Sequence, residues 1–206
     1  MTPKSSAPQI ILASTSRARR EMLAAAGMPF TVEAADVDEP AIRKKLLGTK
    51  PPATPQQIAE ALARAKAEDV SRRHTGALVI GGDQVLALGR ELLTKAKDEA
   101  AARATLTRLR GQVHELHSAV ALAQGGQVQW SHTGTARLKM RDFSDAFLTE
   151  YLTRAGERIR QSVGAYELEG LGVQLFAAID GDYFTILGLP LLPLLAELRA
   201  RETIAA

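Results

Sequence analysis

The stretch Gln9-Ile10-Ile11-Leu12-Ala13-Ser14-Thr15-Ser16-Arg17-Ala18-Arg19-Arg20 decides the fold class. Gln9–Ala13 is short, apolar and β-prone, and three hydroxyl residues follow it. Ser14–Ser16 is a cluster that ends a strand and caps a helix, and the helix predicted over Arg17–Ala26 stops at Gly27. Strand, tight turn and helix in that order are the opening of an α/β unit. Working outward, Phe30–Ala34 reads as a second strand. Thr54-Pro55-Gln56-Gln57 is a capping box with proline at the first helical position, opening a helix to about Arg73. Ala77–Ile80 reads as a buried strand stopped by Gly81-Gly82-Asp83, and Gln84–Leu88 as another. Asp98 caps a helix with the apolar face Ala101, Leu106 and Leu109, ended by Gly111. Val113–Ala123 and Val128–Met140 form a hairpin about Gly125-Gly126. Ser144 caps a helix carrying Phe147, Leu148, Tyr151 and Leu152, which ends near Gly156. Val173–Ile179 and Tyr183–Leu187 read as strands around Asp180-Gly181, and Pro190 opens a last helix to about Arg201. Strands that alternate with helices and also form hairpins predict a mixed central β-sheet flanked by helices.

Composition narrows the function classes. The chain has 206 residues, 46% hydrophobic and 24% charged, enough to bury a real core. The absence of cysteine removes disulfides, thiolate metal sites and a cysteine nucleophile. Lys and Arg total 26 against 23 Asp and Glu, with no long basic block, so the net charge of +3 neither demands nor excludes a polyanionic partner. Ile10–Ala13 is too brief for the core of a signal peptide. The longest uncharged apolar stretch, Phe184–Ala196, holds two prolines and falls short of the roughly 20 residues a membrane span needs. A soluble protein is expected.

Two segments could carry chemistry. Ser14-Thr15-Ser16 with Arg19 and Arg20 puts hydroxyls, guanidiniums and the unpaired amides of a helix N-terminus together, a composition suited to polyphosphate. An ordinary N-cap with solvated arginines accounts for the same residues. Asp83, after a buried strand and two glycines, is placed for a ligand at a sheet edge or is a simple turn aspartate. Lys95, twelve residues on, either returns to that edge or is a surface lysine. Arg19 and Lys95 both read as lying at the solvent edge. Ser162 to Gly172 is glycine-spaced without a strand–turn–helix context, so it is no dinucleotide fingerprint, and no P-loop pattern occurs. His114 and His117, three apart in a strand, point to opposite faces, which argues against a histidine metal site. Trp130 reads as packing.

In order along residues 9 to about 200, the sequence resembles the Maf family of nucleoside triphosphate pyrophosphatases. The resemblance is carried by Leu12-Ala13-Ser14-Thr15-Ser16 with Arg19-Arg20, Val37-Asp38-Glu39, Leu62-Ala63-Arg64-Ala65-Lys66-Ala67 and Gly81-Gly82-Asp83-Gln84-Val85. Thr94-Lys95-Ala96 stands for Gly-Lys-Pro. Later come Gly164-Ala165-Tyr166-x-x-Glu169-Gly170, Gly181-Asp182-Tyr183 and Gly188-Leu189-Pro190-Leu191. Departures are Arg17 for the usual proline, Ala18 where one branch has arginine and another an aromatic, and Ser162 where the pyrimidine-acting branch has lysine. Gln84 and Glu169 resemble the branch acting on 7-methyl-GTP; the dTTP and UTP branch carries Thr and Gln there.

The resemblance implies an α/β fold with two lobes around a cleft, like that of Maf and ITPase proteins, in a single domain over 9–206 after a tail at 1–8. It implies hydrolysis between the α and β phosphates of a nucleoside triphosphate with a divalent cation, Mg²⁺ or Mn²⁺. Guanine-type and methylated triphosphates are expected ahead of dTTP and UTP, with dTTP and UTP as preferred substrates or a broad nucleotide range as the alternative. The catalytic residues implied are Asp83, Glu39 and Lys95, with Glu39 and Asp83 holding the metal. Asp83 serves as general base or as metal-bound activator of water. Substrate contacts fall to Ser14, Ala18, Arg19, Arg20, Lys66, Gln84 and Glu169. A cytoplasmic homodimer is expected, with neither membrane nor nucleic acid as partner. The alternative class is a non-catalytic nucleotide or nucleic-acid binding module with a role in septum formation. Carboxylates beside cations speak for the enzyme, because a pure anion binder gains nothing from them.

Overall fold

The computed structural model describes residues 8–205. Of the tail expected over 1–8, residues 1–7 lie outside the described residues. Strand β1 (Ile10–Ala13) runs into α1 (Arg17–Ala25), whose N-terminus is capped by Ser16. After β2 (Thr31–Val32) come α2 (Glu39–Leu47) and the long α3 (Pro55–Arg73), which Thr54 and Gln57 open with a complete capping box. Then follow β3 (Leu78–Leu88), β4 (Glu91–Leu93), α4 (Glu99–Leu109), the hairpin β5 (Val113–Gln124) and β6 (Gln127–Met140), and α5 (Asp145–Ala155). Two 3₁₀ turns, Gly156–Gln161 and Leu171–Leu175, lead to β7 (Phe176–Asp180), α6 (Tyr183–Ile186) and α7 (Leu191–Ala200).

The strands make one seven-stranded sheet, ordered β2-β1-β3-β5-β6-β7 with β4 added on β3. β1 pairs in parallel with β2 and β3, and the remaining pairs are antiparallel, so the sheet is mixed as expected. Alternation along β3 and β5 sorts the core. Val85, Ala119, Ala121 and Ala123 face α3, where Ile58, Leu62 and Ala63 meet them. The opposite face carries two apolar clusters. One joins Ile80, Val120 and Leu122 to α1 and α7; the other joins Leu86, Leu116 and Leu138 to α4 and α5. Between them runs a polar row, Gln84–Ser118–Gly134 across three strands, with Thr185 of α6 seated on Gly134. That row divides the face into the two lobes. Among the described residues no helix is long and apolar enough to cross a membrane.

The structure corrects three readings. β3 is one unbroken strand, where a stop at Gly81-Gly82-Asp83 was expected. Both glycines serve packing. A Cβ on Gly81 would lie 2.2 Å from the Ala63 carbonyl of α3, and one on Gly82 would lie 3.1 Å from Arg19 Nε. Tyr183–Leu187 is a single turn of helix, because the Asp182 carboxylate accepts the Thr185 amide at 2.7 Å and local capping overrides β propensity. The second strand shrinks to Thr31–Val32, both exposed.

Two consequences are measurable. Gly81→Ala forces backbone apart from backbone and should lower stability by about 1–3 kcal/mol, seen as a fall in Tm of several degrees. His114, buried against the Tyr166 hydroxyl at 2.7 Å, is pushed by burial from 6.5 down to about 4. The unfolded chain therefore binds the extra proton between about pH 6.5 and 4, and stability falls as pH drops through that window. His114→Phe should flatten denaturant midpoints measured from pH 7 to 4.

Candidate active site

The site sits in a gap in the sheet. β1 ends opposite Gly81, and β4 begins to pair at Leu86, so residues 82–85 of β3 carry no strand on that side among the described residues. A cleft of about 780 Å³ opens there. It is bounded by the N-terminus of α1, by α2, by α3 and by the loop around residues 162–169.

On the α3 face lies a carboxylate pair. The Gly81 contact brings α3 onto β3, and Lys66 projects one residue before Ala67, which forms part of that contact. Its Nζ reaches Asp83 Oδ1 and Glu39 Oε1, both at 2.7 Å. Asp83 is 4% exposed, and its Oδ2 is buried with no hydrogen-bond partner among the described residues. Arg43 lies 3.5 Å from Glu39 Oε2 and 3.8 Å from Asp83 Oδ2. Burial by itself would raise the Glu39 carboxyl. The hydrogen bond and charge of Lys66, with Arg43 and Lys95 beyond, outweigh that and hold it below the usual carboxylate range.

On the opposite face lies an anion cradle. Ser14 Oγ accepts from the Ser16 amide and from Arg19 Nη1, each at 3.2 Å. Arg19 Nε donates to the Gly188 carbonyl at 2.7 Å, at a glycine whose φ of +103° favours no other residue. Arg19 is thus buried, not at the solvent edge. Burial draws its guanidinium below the ordinary value, against the pull of Asp83 and Glu39. Lys95 does return to the site. It lines the cleft two residues past the end of β4. The Lys95 side chain is exposed. What covering it does have, together with Arg19 and Lys66 nearby, lowers its ammonium despite the opposing carboxylates.

Ser14, Ala18, Arg19, Glu39, Lys66 and Asp83 all line the cleft, as do Gln84, Lys95 and Glu169. Arg20 does not. It is exposed on α1, one residue past the helix face that turns inward. Gln84 reaches the cleft with its amide nitrogen committed to the protein, at 2.9 Å from Ser118 Oγ and from the Ile186 carbonyl. That leaves its oxygen, and not a donor and an acceptor together, for a ligand. Arg43 and Arg17 are cleft residues that sequence reasoning missed. Asp38 followed by Glu39-Pro40 was the available signal for the first, since it starts a helix that puts Arg43 one turn past Glu39.

The arrangement suits a triphosphate with a hard cation: carboxylates on one side of a strand, donors and cations on the other. A family model described as Maf-like protein matches residues 9–201. A 7-methyl-GTP pyrophosphatase of Brucella abortus is 48% identical over 196 residues, covering 95% of this chain and 98% of that protein. Another, of Rhizobium etli, is 50% identical over 197 residues, covering 96% and 98%. A nucleoside triphosphate pyrophosphatase of Paramagnetospirillum magneticum is 51% identical over 189 residues, covering 92% and 96%. With the match spanning nearly the whole chain, the protein belongs to the Maf-like family.

Proposed function

We propose that this protein hydrolyses nucleoside triphosphates to the monophosphate and pyrophosphate, favouring guanine-type bases, 7-methyl-GTP included, and working as a cytoplasmic domain over 9–206. One observation carries the reading: the Asp83–Lys66–Glu39 bridge, with Asp83 buried, lies across a single strand from the Ser14–Arg19 cradle. The names of the relatives support the same chemistry. A binding module with a role in septum formation is not favoured, because two carboxylates beside a phosphate cradle only repel an anion unless a cation mediates.

The residues fit a divalent cation. Asp83 Oδ2 is a buried carboxylate oxygen with no hydrogen bond among the described residues, and Glu39 stands beside it. Two carboxylates suit Mg²⁺ or Mn²⁺, which complete their shells with water and phosphate oxygens. Held there, the ion would neutralise phosphate charge and sharpen a bound water as nucleophile. Lys66 holds the two carboxylates in register. Asp83 orients water toward the α phosphorus and accepts its proton, Glu39 remains ionised, and Arg19, Lys95 and the Ser14–Ser16 amides stabilise the departing pyrophosphate.

Glu169, which lines the cleft on its 162–169 loop, can accept from two adjacent donors, which guanine presents as N1–H and its exocyclic amine. Uracil and thymine offer one N–H between two carbonyls. Methylation at N7 adds a positive charge that a carboxylate attracts.

Pyrophosphate release from a panel of triphosphates with Mg²⁺ or Mn²⁺ tests the proposal. Asp83→Asn should lose about 10² or more in turnover while staying folded. Lys95→Ala should remove about 1.5–3 kcal/mol of transition-state stabilisation with no change in Tm. Arg19→Ala should lose a similar amount and also melt earlier, because Arg19 ties α1 to Gly188. Glu169→Gln should narrow the preference for guanine-type triphosphates over dTTP and UTP. Equal rates on all three in the unaltered protein would overturn the base assignment and leave the pyrophosphatase reading standing.

A further inference from the structure

Arg17 and Glu167 are positions the family resemblance leaves unexplained, the first a departure from proline and the second an unspecified site in Gly164-Ala165-Tyr166-x-x-Glu169-Gly170. The fold joins them. Arg17 Nη2 donates to Glu167 Oε1 at 2.9 Å across 150 residues of chain, and both side chains line the cleft. Glu167 Oε2 accepts from Arg158 at 3.0 Å, so the carboxylate is held from two sides. Arg17 is the first residue of α1, directly after the cap Ser16, and therefore belongs to the phosphate end. Glu167 belongs to the base end. Its carbonyl accepts the Gly170 amide at 3.2 Å, closing a turn whose tip is Leu168-Glu169. Gly172 packs so tightly on this turn that a Cβ there would lie 2.4 Å from the same carbonyl. The root of the loop is fixed separately, by the buried Tyr166 against His114 and by Ala165, whose carbonyl accepts from Tyr151. What the root leaves undetermined is the position of the turn relative to α1, and the Arg17–Glu167 pair sets that.

We infer that Arg17 is a positioning residue for base selection, strapping the Glu167–Gly170 turn to the first turn of α1 so that Glu169 stands at a fixed distance from the phosphate cradle. This rests on the proposed function, and its consequences separate from it. The strap ties protein to protein, so breaking it should loosen the base contact and spare the chemical step. A half-exposed charge pair is partly screened, which keeps the expected effects moderate.

Arg17→Ala should raise KM for 7-methyl-GTP about fivefold, leave kcat within about twofold, and lower the preference over UTP by a similar factor. Glu167→Gln should do the same. Arg17→Lys should retain most of the preference. Amide exchange over residues 162–170 should quicken in Arg17→Ala, a readout independent of any turnover. Unchanged KM, base preference and exchange in folded Arg17→Ala would overturn the strap. A loss of kcat shared equally by all triphosphates would overturn it too, by making Arg17 a phosphate contact. Absence of pyrophosphate release from the unaltered protein would instead strike the proposed function, with the exchange result still deciding the strap.

Discussion

Helix α3 can lie on strand β3 only because residue 81 has no side chain. At that crossing the Ala63 carbonyl and the Ala67 amide occupy the space a Cβ would need, and Lys66 is carried between them toward Asp83. Pull the helix outward by the width of a methyl group, and the Lys66 bridge opens while the cluster of Ile58, Leu62 and Val85 loses its fit. The site is therefore set by backbone approach, with the ionic contacts following from it. The same strand uses its next residue on its other face, where Gly82 admits Arg19. Two adjacent glycines thus bring a cation to each side of one strand, at the place where β1 has ended and β4 has not begun.

The gap itself follows from strand lengths. β1 has four residues and β3 has eleven, so a parallel pair that starts level must leave most of β3 uncovered. β4 covers the far end only. Ligands of open α/β sheets gather where a strand stops and its helix begins, and here the amides of α1 face that vacated edge. The polar row Gln84–Ser118–Gly134 continues the opening across the sheet, with Gln84 and Ser118 both donating to the Thr185 carbonyl. The division into lobes and the position of the cleft are consequences of one short strand.

Much of this was legible because local signals and burial agreed. Ser16, Thr54, Asp98 and Ser144 all cap the helices their positions announced, and Gly125-Gly126 turns the long hairpin. Reading failed where a residue type served a purpose other than its commonest one. Gly81-Gly82 looked like a stop and is a packing site. Tyr183-Phe184-Thr185-Ile186 had strand composition, but Asp182 supplied a cap. α2 escaped because it is short and its one apolar pair at helical spacing, Ile42 and Leu46, is only partly buried against α3, and Arg43 escaped with it. For the site, residue identities were legible and commitments were not. Nothing in the sequence says that the Gln84 nitrogen is spent on Ser118 and Ile186, or that Arg19 is buried while Arg20, beside it, faces water.

The charge cluster is poor material for stability, and that bears on what it is for. Taking a carboxylate out of water is expensive, and a buried ion pair seldom returns more than a well-packed apolar pair of the same size. A cluster selected to hold the fold would saturate its acceptors at short range. This one satisfies the inner oxygens of Asp83 and Glu39 through Lys66 and leaves the outer pair facing Arg43 at 3.5 and 3.8 Å, with Asp83 Oδ2 buried and unbonded. An acceptor met only by Arg43 at 3.8 Å, outside hydrogen-bond range, adds little to the stability of the fold. It persists in a strand whose neighbours, Val85 and Leu86, are fully buried, so the fold had an apolar alternative at hand. A carboxylate oxygen left without a hydrogen bond beside cations is the group the proposed chemistry would use to bind, orient or take a proton from an arriving ligand.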